Sequence, residues 1–358
     1  MTWIGITDHL GGRFSPTGLG RGKLMSPSKV MERGTLMFET FIAGEVGTHD
    51  LLSLTQLFPF RREISFRAIP GGGFAFVHRH DDDVAHAAVS WTGDGRAHTL
   101  RISYSWDLAR GWGRLTLEQP ERTLVRSSTV PSPKPILTDD MRSLMLGDPS
   151  RSLSKEVLFA AATSGIVPVG PLPTLHPATP IATPDGYRQV GNIRRGDSVL
   201  TSADKVVQVL QTVRYAVPAR ASFAPVRLHA PYFGLERDIV VAPEQRLVLR
   251  GSEVEYIFGQ EAVLVPARHL VNGHAASWLA PHSIAEYVQL ILPRHEVLRA
   301  AGTALESLYI GRIRRKPELL SASVLADTPS QLLPEHGHPI HQVLRPFEAI
   351  TLIDQRAA

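Results

Sequence analysis

The chain of 358 residues contains no cysteine. Disulfide bonds, thiolate metal sites and cysteine nucleophiles are therefore excluded. The sequence also lacks any uninterrupted apolar run of the roughly 18 residues that a membrane-spanning helix requires, and its first ten residues carry no apolar segment of signal length. We therefore predict no membrane span and no signal peptide, with a cytoplasmic location or leaderless secretion as the expected localisation.

The chain has little excess of either charge, because it contains 38 basic and 34 acidic residues. Nucleic-acid binding needs a concentrated basic patch with aromatic side chains among the cations. The densest basic region has only one aromatic residue nearby, Tyr309, and consists of Arg299, Arg312, Arg314, Arg315 and Lys316. The sequence thus predicts no nucleic-acid partner.

Metal and cofactor motifs are also scarce. His78, His80 and Asp83 could form a corner for a divalent cation, but a solvated turn after a strand is the favoured interpretation. The histidines at 336, 338 and 341 alternate with glycine and proline in a segment that we expect to be an unanchored tail. We predict no metal and no cofactor.

Short apolar segments separated by turns fill the first third of the chain. In 63–69, the apolar residues Ile64, Phe66 and Ala68 alternate with other residues, as in a half-buried strand. Several such strands without a helical period predict an antiparallel, jelly-roll-like β-sandwich, which is weakly similar to concanavalin and laminin-G domains. The predicted strands lie at 36–42, 63–69, 74–77, 98–106 and 114–118.

The organisation outside these strands follows from glycine and proline. Residues 1–30 are predicted to be irregular, residues 126–135 a linker or long loop, and residues 152–162 a short helix. Segment 164–180 has five prolines and two glycines, which is typical of an extended connector. The predicted division is a sandwich at 1–135, a helical and proline-rich connector at 136–172, a second domain at 173–311 and a C-terminal extension at 312–358.

An ordered series of motifs follows the connector. The motifs are TPIATPDGYRQV at 179–190, GDSVLT at 196–201, RDIVVAPEQRLVL at 237–249, LVPARHLVNG at 264–273, PRHEVL at 293–298 and LESLY at 305–309. Together they resemble a bacterial Hint (Hedgehog/intein) domain, a family whose fold is a compact, highly curved all-β horseshoe. The local pattern agrees, since 184–186 reads as a tight turn in which Gly186 supplies a positive φ. The expected fold class is therefore all-β, a sandwich followed by a Hint-type horseshoe.

The resemblance also implies site positions. Hint domains break the peptide bond before their first residue, where a Cys or Ser attacks the preceding carbonyl. The corresponding position here, seven residues before Ile181, is Thr174, so the scissile bond would join Pro173 to Thr174. The family's Thr/Ser-x-x-His motif falls on Ala242 and Gln245. A later family histidine falls on the position of Gln289.

These replacements predict a degenerate domain. Threonine is a stiff, un-ionised nucleophile, and glutamine cannot cycle a proton as histidine does. Splicing also needs a terminal asparagine, whereas the chain has only Asn192 and Asn272. We therefore expect no protein splicing and no enzyme activity, with active cleavage by Thr174 as the alternative.

Two ionisable residues remain in the Hint-like motifs, His269 and His295. They are candidates for positions near the former active centre, and His295 could pair locally with Glu296. The ligand of the N-terminal domain is unknown, but the domain is expected to be a binding module. A carbohydrate-binding protein is the further alternative, with stacking on three tryptophans, Trp91, Trp106 and Trp112.

Overall fold

The computed structural model describes residues 2–20, 30–42, 47–122, 124–280 and 282–357. The chain divides into two compact units, 1–168 and 169–358. Strands dominate both units, which confirms the predicted all-β class. Among the described residues, no helix has the length and apolar character needed to span a membrane.

The first unit is built from two large antiparallel sheets and one two-stranded sheet that pairs β3 with β12. The larger has the strand order β11-β10-β9-β4-β14-β1-β2, and the smaller the order β13-β5-β6-β7-β8. The elements are β1 (Trp3–Asp8), β2 (Gly11–Phe14), β3 (Val30–Met31), β4 (Arg33–Ile42), β5 (His49–Gln56), β6 (Arg62–Ala68), β7 (Phe74–His80), β8 (Asp83–Val89), β9 (His98–Asp107), β10 (Trp112–Gln119), β11 (Leu124–Pro131), β12 (Ile136–Leu137), α1 (Thr138–Leu146), β13 (Arg151–Leu153) and β14 (Val157–Thr163).

The core of this unit lies between the two sheets, as in a β-sandwich. Phe38 of β4 and Phe66 of β6 meet edge to face, with ring centroids 5.0 Å apart. Trp106 is fully buried in the same core, and its indole N–H donates to the carbonyl of Met31 at 2.8 Å. A Cβ on Gly34 would lie 2.7 Å from the Trp106 ring, so only glycine fits at that position.

Three secondary-structure predictions for this unit are wrong. Residues 2–20 are not irregular as predicted, because β1 and β2 form a hairpin there, while residues 21–29 of the predicted segment lie outside the described residues. The linker predicted at 126–135 is largely strand β11. The helix predicted at 152–162 is replaced by β13 and β14, and the helix of this region lies earlier, at α1.

The strand β14 explains why a helix was predicted at 152–162 and why the domain boundary was placed at 135. It pairs with β4 on one side and β1 on the other, and all of its residues except Leu158 are buried, so that both faces are covered along most of its length. A central strand of this kind is a continuous apolar run without alternation, which a helical spacing can mimic. Residues 136–163 therefore belong to the sandwich, and the predicted boundary at 135 cuts through it.

His78 lies in the core of the sandwich and not in a solvated turn. Its ring centroid is 6.2 Å from those of Phe76 and of Tyr104. Burial, followed by the positive charges of His80 and Lys134, lowers the pKa of His78 to about 3. Within the described residues, no group of three or more His, Asp or Glu side chains is arranged to hold a metal ion.

We expect acid to destabilise the first unit through His78. In the unfolded chain this residue has its ordinary pKa near 6.5, so between about pH 6.5 and 3 the unfolded state binds a proton that the folded state does not. Stability is therefore highest above pH 6.5 and falls by about 1 kcal/mol per pH unit toward pH 3. Denaturant unfolding at pH 7 and pH 5 should show a smaller loss for His78→Leu than for wild type. Equal losses would contradict this origin.

The second unit consists of short, strongly connected strands. Its seven-stranded sheet has the order β16-β15-β26-β27-β22-β23-β28. Two smaller sheets pair β17 with β18 and β19 with β25, and a three-stranded sheet has the order β21-β20-β24. The strands are β15 (Pro180–Thr183), β16 (Gly186–Gln189), β17 (Ser198–Leu200), β18 (Val206–Gln208), β19 (Gln211–Pro218), β20 (Val226–Leu228), β21 (Ile239–Val241), β22 (Arg246–Arg250), β23 (Ala262–Pro266), β24 (Ala276–Trp278), β25 (Ile284–Ile291), β26 (Val297–Ala300), β27 (Thr303–Glu306) and β28 (Gln342–Val343).

The helices of this unit are short, and the hairpin β15–β16 forms as predicted. Thr183 pairs with Gly186, whose φ is +106°. The helices are α2 (Ser252–Phe258), α3 (Pro317–Ala322), α4 (Pro346–Ala357) and the 3-10 helices Val190–Asn192, Ala221–Phe223, Tyr232–Gly234, Ala267–Leu270, Ile313–Arg315 and Ser330–Leu332.

The C-terminal residues are an integral part of the second unit. β28 pairs with β23, and Leu344, Ala349 and Leu352 are buried in the same core as Leu175. His336 is buried too, accepting a hydrogen bond from the Ile310 N–H at Nδ1 and donating from Nε2 to the Leu292 carbonyl. The prediction of an unanchored tail is therefore wrong.

Candidate active site

Backbone pairing fixes the position of Thr174. The next residue, Leu175, forms bridges to Val241 of β21 and Val288 of β25. Leu175 exchanges two backbone hydrogen bonds with Val288, at 3.1 and 2.7 Å, while the Ala242 N–H donates to the Thr174 carbonyl at 2.7 Å. Thr174 is therefore held where these two strands converge, immediately after the buried Pro173.

The side chains of Thr174, Gln245 and Gln289 form a closed triangle of hydrogen bonds. The Thr174 hydroxyl donates to Oε1 of Gln245 at 2.6 Å. Nε2 of Gln289 donates to Thr174 Oγ1 at 3.0 Å and to Gln245 Oε1 at 2.9 Å. The structure thus brings together three positions that the motifs place far apart in the chain, and both glutamines are fully buried.

The orientation of both amides is set by carbonyl groups around the triangle. Nε2 of Gln245 donates to the Arg246 carbonyl at 2.9 Å, and both glutamine Nε2 groups lie 3.3 Å from the Glu306 carbonyl. The Leu290 N–H donates to Oε1 of Gln289. These partners direct the amide oxygen of Gln245 toward Thr174.

Ala242 contributes to the site only through its backbone. Its N–H holds the Thr174 carbonyl, and its own carbonyl accepts from the Gln245 N–H at 3.0 Å. The methyl side chain is buried and has no proton to donate. The turn 242–245 therefore positions Gln245 without adding a titratable group.

His295 lies close to Glu306, whose backbone carbonyl contacts the triangle. Its Nε2 is 3.2 Å from Oε2 of Glu306 without forming a hydrogen bond within the described residues, and its Nδ1 accepts from the Ile340 N–H at 3.0 Å. Arg246 donates to the same Oε2 at 3.2 Å. The structure records this contact with Glu306 in place of the local pair predicted with Glu296. Sequence reasoning missed Glu306 and Arg246, since a carboxylate at a strand end has no motif of its own.

His269 lies in the 3-10 helix Ala267–Leu270, beside the triangle. The Ala267 N–H donates to the Gln245 carbonyl at 2.8 Å, which fixes the start of this helix. Burial, with a smaller contribution from Arg268, lowers the pKa of His269 to about 4, so the ring is neutral at pH 7. Its buried Nε2 has no hydrogen-bond partner among the described residues.

Comparison with known proteins agrees with the motif series. Residues 173–312 match the family model described as Hint domain, which confirms the resemblance for this segment. The chain is similar in structure to the bacterial intein-like domain from Clostridium thermocellum, with 14% identity, 38% of this chain and 99% of that chain covered, and a TM-score of 0.29. It is similar to the AceL NrdHF class 3 split intein, with the same identity and coverage and a TM-score of 0.28.

A different similarity is to the CBM40 domain of the Ruminococcus gnavus IT-sialidase, solved bound to α2,6-sialyllactose. The identity is 13%, the match covers 39% of this chain and 80% of that chain, and the TM-score is 0.25. A search of curated proteins finds no significant match.

Proposed function

We propose that the Hint domain at residues 173–312 is a degenerate autoprocessing domain that keeps the family fold without self-cleavage or splicing. The observation that carries this proposal is the partner of the Thr174 hydroxyl. Its proton is donated at 2.6 Å to the amide oxygen of Gln245. An amide oxygen accepts a hydrogen bond but is not a base at neutral pH, so the hydroxyl is held without being activated.

The groups around the triangle support the same conclusion. Gln289 donates to Thr174 Oγ1, which occupies the oxygen that would attack the carbonyl. The carboxylate of Glu306 is paired with Arg246 and lies 3.2 Å from His295 Nε2, and neither Glu306 nor His295 has a recorded side-chain hydrogen bond to Thr174. General acid–base groups contribute about 10²–10⁴-fold each to such reactions, and neither direct partner of Thr174 can act as one.

Splicing has a further requirement that the chain does not meet. The family cyclises an asparagine at the C-terminal end of the domain. Asn272 serves a loop instead, where its Oδ1 accepts from the backbone N–H groups of His274 and Ala275. Asn192 ends a short 3-10 helix near the start of the domain.

Intact mass spectrometry tests the proposal against active cleavage by Thr174. We expect the purified wild-type protein to keep its full mass of 39.3 kDa through long incubation with hydroxylamine or dithiothreitol. These nucleophiles would capture an ester formed at Thr174. A wild-type preparation split between Pro173 and Thr174, together with an intact Thr174→Ala variant, would overturn the degenerate assignment.

For the first unit, the proposed role is that of a binding module. The carbohydrate alternative relied on three tryptophans, but Trp91 and Trp106 are buried in the core and cannot stack on a sugar. Trp112 remains only partly buried, with the Arg114 guanidinium 5.3 Å from its ring centre. A glycan array with wild type and Trp112→Ala would test this role, and identical binding patterns would remove Trp112 from it.

A further inference from the structure

Three side chains of the sheet β21-β20-β24 form a continuous hydrogen-bonded series. His229 directly follows β20, Asp238 directly precedes β21, and Ser277 lies in the middle of β24. Nδ1 of His229 is 3.1 Å from Oδ2 of Asp238, and Nε2 is 2.8 Å from Oγ of Ser277. The two ring nitrogens therefore link a carboxylate on one side to a hydroxyl on the other.

Strand register explains why these residues meet. β20 is the central strand, with β21 and β24 antiparallel on either side, and Arg227 lies directly opposite Ser277. Side chains alternate between faces, so the buried Val226 and Leu228 face the core while Arg227 and His229 share the outer face. Residues nine and 48 positions from His229 thus become its neighbours on that face.

The hydrogen bonds define the tautomer of His229. The Ala230 N–H donates to Oδ1 of Asp238 at 3.0 Å, and this bond, followed by the bond from His229, holds the pKa of the carboxyl below its usual range. An ionised carboxylate only accepts hydrogen bonds, so Nδ1 of the neutral ring carries the proton and donates. Nε2 is then left with the lone pair that accepts the Ser277 hydroxyl proton.

We propose that Ser277, His229 and Asp238 form a second site, one for acyl transfer from activated carboxylic esters. Ser277 is the nucleophile, His229 the general base, and Asp238 holds and orients the imidazole. Arg227 lies opposite Ser277, where facing Cβ atoms are about 4.5–5.5 Å apart. The positive charge of Arg227 also acts on Asp238 and helps to keep the pKa of that carboxyl below its usual range.

The reaction balances with ester and water alone. Ser277 Oγ bonds to the ester carbonyl carbon as its proton passes to His229 Nε2, and the carbonyl electron pair moves onto oxygen. The tetrahedral intermediate then expels the alcohol, which takes that proton from His229. Water attacks the acyl-serine by the same route, releasing the carboxylic acid and restoring the Ser277 hydroxyl.

Exposure of the site sets the substrate class. The side chains of His229 and Asp238 are 26% and 46% exposed, and Arg227 is exposed as well. Oxyanion stabilisation is weaker in contact with water than in a closed, low-dielectric site. Esters with good leaving groups therefore react, whereas unactivated amides do not.

A fluorophosphonate probe tests the nucleophile directly. Attack by Ser277 Oγ displaces fluoride and adds a phosphonyl group, which intact mass and peptide mapping detect. We expect labelling at Ser277 in wild type and no labelling at this position in Ser277→Ala. In His229→Ala the labelling rate should fall about 100-fold, because the general base is removed. Asp238→Asn, which keeps the side-chain volume, should also slow the reaction.

The control variant is Ser252→Ala, which removes an exposed serine of the same unit and should label at the wild-type rate. Release of p-nitrophenol from p-nitrophenyl acetate provides a second readout that should follow the same order of variants. Wild-type protein that is not labelled at Ser277, or that is labelled there at the same rate in His229→Ala, would overturn the proposal. Circular dichroism on each variant separates loss of reaction from loss of fold.

Discussion

The double variant Thr174→Cys/Gln245→His is expected to cleave itself between residues 173 and 174, whereas wild type stays whole. A thiol with an ordinary pKa near 8.5 ionises far more readily than a threonine hydroxyl. The side chain at 245 already points at the nucleophile, since its Oε1 lies 2.6 Å from Thr174 Oγ1, so an imidazole there supplies the missing base. Intact mass after incubation with dithiothreitol should show two fragments, of 173 and 185 residues.

Single variants give this experiment its controls. Thr174→Cys lacks the imidazole and Gln245→His lacks the thiol, so each should cleave about 10²-fold more slowly than the double variant, the lower range for one acid–base group. Thr174→Ala/Gln245→His has no nucleophile and should remain whole. If the double variant folds and still stays intact, a thiol at 174 and an imidazole at 245 are not sufficient for cleavage at this site, and the prediction is wrong.

Arg62→Met is expected to destabilise the first unit by about 3–5 kcal/mol, the cost of leaving a buried charge without its partner. Arg62 of β6 and Asp140 of α1 form a bidentate ion pair, with N–O distances of 2.8 and 3.0 Å. Their side chains are only 10% and 7% exposed. Chemical denaturation followed by tryptophan fluorescence measures the loss, since Trp91 and Trp106 are buried in this unit.

Two control variants use residues of α1. Arg62→Met/Asp140→Leu replaces both charges by apolar groups and should recover most of the lost stability. Arg142→Ala removes an exposed pair with Asp139, whose side chains are 53% and 91% exposed, and should cost less than about 1 kcal/mol. A loss from Arg62→Met as small as that from Arg142→Ala would contradict the role of the buried pair.

Alternation made the sandwich strands predictable, but it did not reveal every strand. Ile64, Phe66 and Ala68 are buried on the face that the sequence indicated. By contrast, β2 contains Gly11 and Gly12, which obscure a strand pattern, and β14 is buried on both faces and has no alternation to detect. Strands that depend on neighbours for burial are not visible in local sequence.

In the candidate site, only the residues that lie at defined positions of the ordered motif series could be predicted from the sequence. That order led to Thr174, Gln245 and Gln289, which form the triangle. Glu306 joins them through its backbone carbonyl, which no side-chain pattern can indicate. The series from Asp238 through His229 to Ser277 was missed for a related reason, because strand pairing creates it from residues with no common motif.

The place of β14 in its sheet imposes an order on co-translational folding. β14 is the last strand of the first unit to be synthesised, yet it separates β4 from β1. Those two early strands must wait, each with an open edge, until residue 163 has left the ribosome, whereas β5 to β8 pair with their successors as they emerge. The second unit begins only at residue 169, so the sandwich can close before the second unit has been synthesised and does not compete with it for partners.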